Sequence, residues 1–327
     1  MSAPWEQRLL SAWYQGSTWL WLLRPLEFLF RFLAALRRWS YSTGLRDRYR
    51  AEVPVVVVGN ITLGGTGKTP VVIALVEALA AQGHRVGVVS RGYGADAGTY
   101  PLAVTADTTA AQCGDEALLL HLRTGCPVVV DPDRARAARY LEANYDVDLL
   151  ISDDGLQHYA LDRDFEIVLI DQDLGLGNGF CLPAGPLREP PSRLKTVDQV
   201  LYRGGPDRDR GVSYTVQGLV NLVSRDEARL GGDAVGPEVH ALAGIGQPEQ
   251  FFSTLEQAGL VLERHVFSDH HAYVESDFAG LADKPVIMTE KDAVKCVAFA
   301  RPAFWYLKIS ARLPDKLIQR ISELAAS

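Results

Sequence analysis

The run Val53-Pro-Val-Val-Val-Val-Gly59, followed by Asn60-Ile-Thr-Leu-Gly-Gly-Thr-Gly-Lys-Thr69 and then by Pro70 and an apolar stretch over 71–82, constrains the fold more than anything else in the chain. A short β-branched run reads as a buried strand, and the stretch after Pro70 reads as a helix. A glycine-rich loop between such elements is a phosphate cradle. Glycines let backbone N–H groups approach phosphate oxygens, and the helix N-terminus adds partial positive charge. Proline suits the first turn, where its missing N–H is no loss. Thr62, Leu63, Gly64, Gly65, Thr66, Gly67, Lys68 and Thr69 form the expected nucleotide loop. Lys68 supplies a mobile cation for the β- and γ-phosphates, and the Thr69 hydroxyl is an expected Mg²⁺ ligand. The usual pattern has glycine where this chain has Thr62.

Further apolar runs at 85–90, 127–130, 147–152 and 165–170 alternate with helical stretches near 114–124 and 131–145. Such alternation implies a doubly wound, mostly parallel α/β sheet of the P-loop NTPase kind, with ligands at the carboxyl ends of its strands. The strand running into Asp153 and Asp154 has the form of a Walker B element, which brings carboxylates to Mg²⁺. A solvated Asp153-Asp154-Gly155 turn is the plainer alternative. The expected organisation is an N-terminal segment over 1–40, a P-loop core over 41–215 and a smaller C-terminal α/β domain over 216–327. A Gly204-Gly-Pro-Asp-Arg-Asp-Arg-Gly211 stretch lies near the second boundary.

The N-terminal segment is unusual. Five of the six Trp lie within the first 39 residues. The first 50 residues hold eight Arg against Glu6, Glu27 and Asp47, a local balance of +5, so the rest carries −12 of the overall −7. The acidic total argues against a general nucleic-acid binder. The uncharged stretch Leu9 to Leu23 has 15 residues, short of the roughly 20 a spanning helix needs. An aromatic, Arg-edged amphipathic segment suits the interface plane of a membrane, and an ordinary helix packed on the body is the alternative. Four scattered cysteines without a CxxC spacing suggest neither a disulfide framework nor a zinc site.

P-loop cores serve kinases, switches and motors alike, so the loop alone leaves a lipid kinase, a soluble-metabolite kinase and a membrane-linked ATPase switch open. Leu63 stands where MinD- and ParA-like ATPases carry an extra lysine, and no GTPase base-reading motif is present. The remaining landmarks, in order, are Ser90-Arg-Gly-Tyr-Gly94, Gly114-Asp-Glu116, Asp153-Asp-Gly-Leu-Gln-His158, Pro183-Ala-Gly-Pro-Leu-Arg-Glu189, Ala243-Gly-Ile-Gly246, Phe267-Ser-Asp-His-His271 and Thr289-Glu-Lys-Asp292. Together with the P-loop they resemble the tetraacyldisaccharide 4′-kinase family over nearly the whole chain. The resemblance implies phosphate transfer from ATP, with Mg²⁺, to the 4′-hydroxyl of a lipid-anchored glucosamine disaccharide 1-phosphate. The product would be lipid IVA, made on the cytoplasmic face of the inner membrane.

By the same resemblance, Asp115 matches the catalytic aspartate and His270 the histidine that pairs with it, with His271 competing for that place. A helix-capping role is the plainer reading of Asp115. Tyr93, His158, Arg188 and Glu189 are further candidates for substrate or metal contacts; an Arg188–Glu189 surface pair is the alternative for the last two. If His270 partners Asp115, the two α/β units must close over ATP and exclude water.

Overall fold

A computed structural model describes residues 4–326; the side chains of residues 4–7 lie outside that description, as do residues 1–3. Trp5 and Glu6, counted above in the N-terminal segment, therefore carry no side-chain account. The strand Val55–Gly59 is buried on both faces. Val56 and Val58 pack toward the helices Lys68–Ala81 and Asp115–Thr124, while Val55 and Val57 pack toward Ala137, Ala138 and Leu141 of the helix Arg134–Asn144. Period-2 alternation of valines thus fills two layers at once, each buried valine contributing about 1.5 kcal/mol or more.

Val55–Gly59 lies between Leu149–Asp153 and Phe165–Asp171, parallel to both, with Val58 opposite Asp153. The phosphate loop and the Asp153-Asp154 pair therefore leave neighbouring strands at the same edge. Outward from there the sheet continues through Val86–Ser90, Val128–Val130 and Leu102–Ala103 on one side. On the other it passes Gln199–Arg203, Gly211–Asn221, Phe304–Arg312, Val286–Thr289 and Glu238–Ala243 to the edge strand Val261–Val266. All of these pairings are parallel except two: Leu102–Ala103 on Val128–Val130, and Gly211–Asn221 on Phe304–Arg312.

The strand Gly211–Asn221 runs through the position where the two α/β units were expected to divide. Its start pairs with Tyr202 and Arg203, and its remainder pairs with Phe304–Arg312. One sheet thus crosses both units, and the apolar cluster around Val56 and Val58 also takes in Ala311, Leu313, Leu317 and Ile321 from the C-terminal unit. The edge strand is tied inward by side chains: His265 Nε2 lies 3.1 Å from His240 Nδ1, and His240 Nε2 lies 2.9 Å from Asp283.

The N-terminal arm comprises the helix Pro4–Gln15, a 3₁₀ turn Thr18–Leu23 and the helix Arg24–Ser42. Pro25 sits in the first turn of the last helix, where it costs no hydrogen bond. Glu27, which interrupts the apolar run in sequence, is turned into the protein and only 1% exposed. Its carboxylate accepts the Cys181 amide at 3.1 Å and pairs with Arg24 at 2.9 Å. The opposite face presents Trp21, Leu22, Phe28 and Phe32 to the outside, Leu22 being 81% exposed. Among the described residues, no helix is long and apolar enough to cross a membrane.

Candidate active site

The phosphate loop is shaped by two left-handed glycines, Gly64 (φ +101°) and Gly67 (φ +81°). At Gly67 a Cβ would also lie 2.6 Å from the Tyr214 hydroxyl, which donates to the Gly67 carbonyl at 2.9 Å. Only glycine fits there. Thr62, the departure from the usual pattern, is buried in an extended bridge to Leu187, a backbone conformation that needs no glycine. Leu63 donates its amide to Pro186 and packs its side chain against Ala12, Trp13 and Leu20 of the arm. Thr66 and Thr69 are buried, and the Thr66 hydroxyl has no hydrogen-bond partner. From the far half of the sheet, Gly246 approaches Gly65 so closely that a Cβ on it would stand 3.5 Å from the Gly65 amide nitrogen.

The two carboxylates after Leu149–Ser152 turn to different surroundings as the chain leaves the strand. Asp154, in a left-handed conformation (φ +48°), reaches Lys68 Nζ at 3.4 Å and Arg188 Nη1 at 3.1 Å. Burial raises its pKa, but Lys68 and Arg188 outweigh burial and hold it below the usual carboxylate range. Asp153 is fully buried, and one of its carboxylate oxygens has no hydrogen-bond partner. Burial, then Glu116 and Asp154, push it up to about 7. An orphaned buried carboxylate oxygen beside the Thr69 loop fits a divalent cation, whose charge would reverse that shift. The solvated-turn alternative for 153–155 does not match this burial.

Asp115 and His270 are brought together. His270 Nδ1 lies 3.0 Å from Asp115 Oδ2 and 3.1 Å from Oδ1. Asp115 also accepts its neighbour's amide, Glu116 N, at 2.8 Å, but the helix N-cap is Gly114, so Asp115 is not its capping residue. His271 faces away and meets Asp277 at 2.9 Å, which separates the two histidines. His270 is itself left-handed (φ +59°), a strained conformation of the sort found at functional sites. Burial raises the Asp115 pKa, but His270, Lys291 and Lys295 together bring it below its ordinary value. Tyr93, exposed, lays its ring 4.9 Å from the His270 ring.

The other sequence candidates part company. Arg188 turns to Asp154, not to Glu189 as the surface-pair reading had it. Glu189 is buried and accepts from Arg193 Nε, Gln157 Nε2 and Tyr159 Oη, so its carboxylate is engaged in a buried network. His158 is held neutral, its pKa down at about 3, by burial and then by Arg134 and Arg91.

Residues that sequence reasoning passed over complete the site. Arg134, 2% exposed, clamps the end of the Asp153 strand by donating to the Asp131 and Asp153 carbonyls at 2.9 and 3.0 Å. Glu116 and Lys291, each present in a quoted string, face each other at 3.1 Å beside the dyad. A cavity of about 530 Å³ opens over the loop, lined by Gly65–Thr69, Glu116, Arg203, Gly246 and Lys291 among others. It is walled by both halves of the sheet and holds the charges a nucleotide triphosphate needs.

The family model described as tetraacyldisaccharide-1-P 4′-kinase matches residues 19–326. A tetraacyldisaccharide 4′-kinase of Pseudomonas aeruginosa is 52% identical over 309 residues, covering 94% of this chain and 93% of the relative. One from Aeromonas hydrophila is 51% identical over 312 residues, with 94% and 93% covered. The crystal structure of LpxK from Aquifex aeolicus in complex with ATP aligns at a TM-score of 0.78 and 26% identity, covering 94% of this chain and 98% of that one.

Proposed function

Since the chain belongs to the tetraacyldisaccharide 4′-kinase family, we propose that it phosphorylates the 4′-hydroxyl of tetraacyldisaccharide 1-phosphate with ATP, giving lipid IVA. The observation that carries the reading is the Asp115–His270 pair, 3.0 Å apart, whose chain neighbours Glu116 and Asp269 line a cavity over the Lys68 loop. A P-loop positions a phosphate, but a switch ATPase has no need of a carboxylate–imidazole pair assembled from the two halves of the sheet.

In this reading the loop amides and Lys68 hold the β- and γ-phosphates. Thr69 and Asp153 would hold Mg²⁺, which when bound neutralises charge on the phosphate oxygens. Arg188 and Lys68 keep Asp154 ionised beside it. The 4′-oxygen forms its bond to the γ-phosphorus as the bond to the β–γ bridging oxygen breaks, and ADP leaves with that electron pair. The hydroxyl proton passes to the Asp115–His270 dyad. Tyr93, exposed beside His270, is placed to contact the sugar.

The arm, residues 1–40, supplies the membrane surface. Its outward face exposes Leu22, Leu26, Phe28, Leu29, Phe32 and Leu33, whereas Glu27, the acidic residue of the helix Arg24–Ser42, is spent inward. We place it on the cytoplasmic face of the inner membrane, where ATP is at hand.

The test is transfer of labelled γ-phosphate to purified tetraacyldisaccharide 1-phosphate, with a deacylated disaccharide as control. The lipid should be labelled and the control labelled poorly. Equal labelling of both would point to a soluble acceptor, and turnover of ATP without an acceptor would point to a switch ATPase.

A further inference from the structure

Lys291 stands at the Nε2 edge of His270, whose Nδ1 faces Asp115. The short helix that carries it, Glu290–Ala293, is fixed by a buried network: Thr289 caps it through Asp292 N, and Asp292 holds the Gly244 amide at 2.9 Å and Lys295 at 2.9 Å. From that base the Lys291 ammonium reaches Glu116 at 3.1 Å, Asp269 at 3.3 Å and His270 Nε2 at 3.3 Å. It lies 4.0 Å from Asp115 Oδ2. An ammonium has three donors and no acceptor. The three groups around it must all accept, so His270 Nε2 presents a lone pair. The ring proton is then on Nδ1, which faces the Asp115 carboxylate.

Resting on the kinase reading above, we infer that Lys291 is a positioning residue for the dyad: its ammonium selects the Nδ1–H tautomer of His270 and opposes a second proton on the imidazole, so that the dyad fills less readily before the substrate hydroxyl arrives. The chemistry requires this. A carboxylate beside a neutral imidazole accepts one proton; a carboxylate beside an imidazolium already holds it. The neighbours of His270 pull in opposite directions. The Asp115 hydrogen bond raises its pKa most, burial and Lys291 lower it, and Asp269 adds a smaller upward pull. Tyr93 contributes only its ring face, and Glu116 and Lys295 stand one contact further out. Among the described side chains that touch the ring, Lys291 is thus the cation that opposes filling of the dyad.

The experiment uses full-length protein with isotope-labelled histidine, the His270 signals being assigned with His270→Gln. In Lys291→Met the protonation midpoint of His270 should rise by about one pH unit, since a like charge at this range shifts a neighbour by roughly that much. The acid limb of the kcat–pH profile should rise with it. Lys291→Arg should restore both. A His270 midpoint that is unchanged or lower without the ammonium overturns the inference. So does a raised KM for ATP with an unmoved acid limb, which would make Lys291 only a phosphate ligand. Lys291→Gln is read alongside, so that instability of one variant leaves the other to decide. The histidine midpoint needs no substrate, so the inference and the choice of acceptor lipid fail separately.

Discussion

The indole Nε1 of Trp13 donates to the carbonyl of Pro183 at 3.1 Å, joining the N-terminal arm to a segment 170 residues away. That segment is hydrogen-bonded to the phosphate loop, with Leu63 donating to Pro186 at 2.8 Å and Arg188 to Ile61 at 2.7 Å. The arm is therefore a bracket for the nucleotide loop as well as a surface for the outside. Its inner face and its outer face do different work.

Trp13→Ala should cost about 3–5 kcal/mol, since it empties a buried aromatic site and orphans the Pro183 carbonyl. It should also weaken ATP binding, because Leu63 loses the packing that holds the loop's entry. Thermal melts with and without ATP–magnesium check both effects. A variant destabilised with an unchanged ATP-induced rise in Tm would show that the arm does not brace the loop.

The outer face predicts the converse. Leu29→Glu with Phe32→Glu puts charge on an exposed apolar stripe without touching Glu27 or Trp13. Binding to vesicles of anionic and zwitterionic lipid, read by sedimentation, should fall at least about tenfold, given roughly 1.5–3 kcal/mol per large apolar side chain buried. The melting temperature should hold. Undiminished vesicle binding would remove the membrane role from this helix.

What the sequence disclosed was mostly local. The strand–loop–helix of the P-loop appears within two or three residues of where periodicity and glycine place it, because a single short stretch dictates it. The Asp115–His270 pairing came from resemblance alone; nothing in the spacing of residues 155 apart encodes it. Missed features all depend on long-range partners. Glu27 reads as a defect in an apolar helix until the Cys181 amide is known to face it. Glu189 reads as a site residue until Arg193, Tyr159 and Gln157 claim it. The shared sheet was hidden because Gly211–Asn221 changes partners partway along, and a strand's partners are not written in its own residues.

Two substitutions at the site should separate binding from chemistry. Lys68→Met removes the cation that faces Asp154 at 3.4 Å and that charges the phosphate loop, and should lower kcat/KM by about 10²–10³-fold with weaker ATP binding. Asp115→Asn keeps shape and removes the proton acceptor, and should lower kcat by about 10²–10⁴-fold while nucleotide binding is spared. Calorimetric titration of ATP beside steady-state rates distinguishes them. Collapse of ATP affinity in Asp115→Asn would withdraw the base role.

The dyad also makes stability depend on pH in a defined window. His270 has its folded pKa raised above the ordinary 6.5, chiefly by the Asp115 hydrogen bond. A raised pKa means that the folded state binds the proton more tightly, so the stabilisation is fully present below the unfolded value and lost as pH rises through the folded one. Asp115 has a lowered pKa and is ionised in both states across pH 5.5–8.5, so its own titration contributes nothing in that range. In Asp115→Asn only burial, Lys291 and the weaker pull of Asp269 remain to act on the imidazole, and the first two lower its pKa. The stability gap between wild type and Asp115→Asn should therefore be wider at pH 5.5 than at pH 8.5. Urea midpoints at the two pH values measure it directly. A gap that is constant, or that widens toward alkaline pH, would falsify the assignment of His270 as a group charged through Asp115.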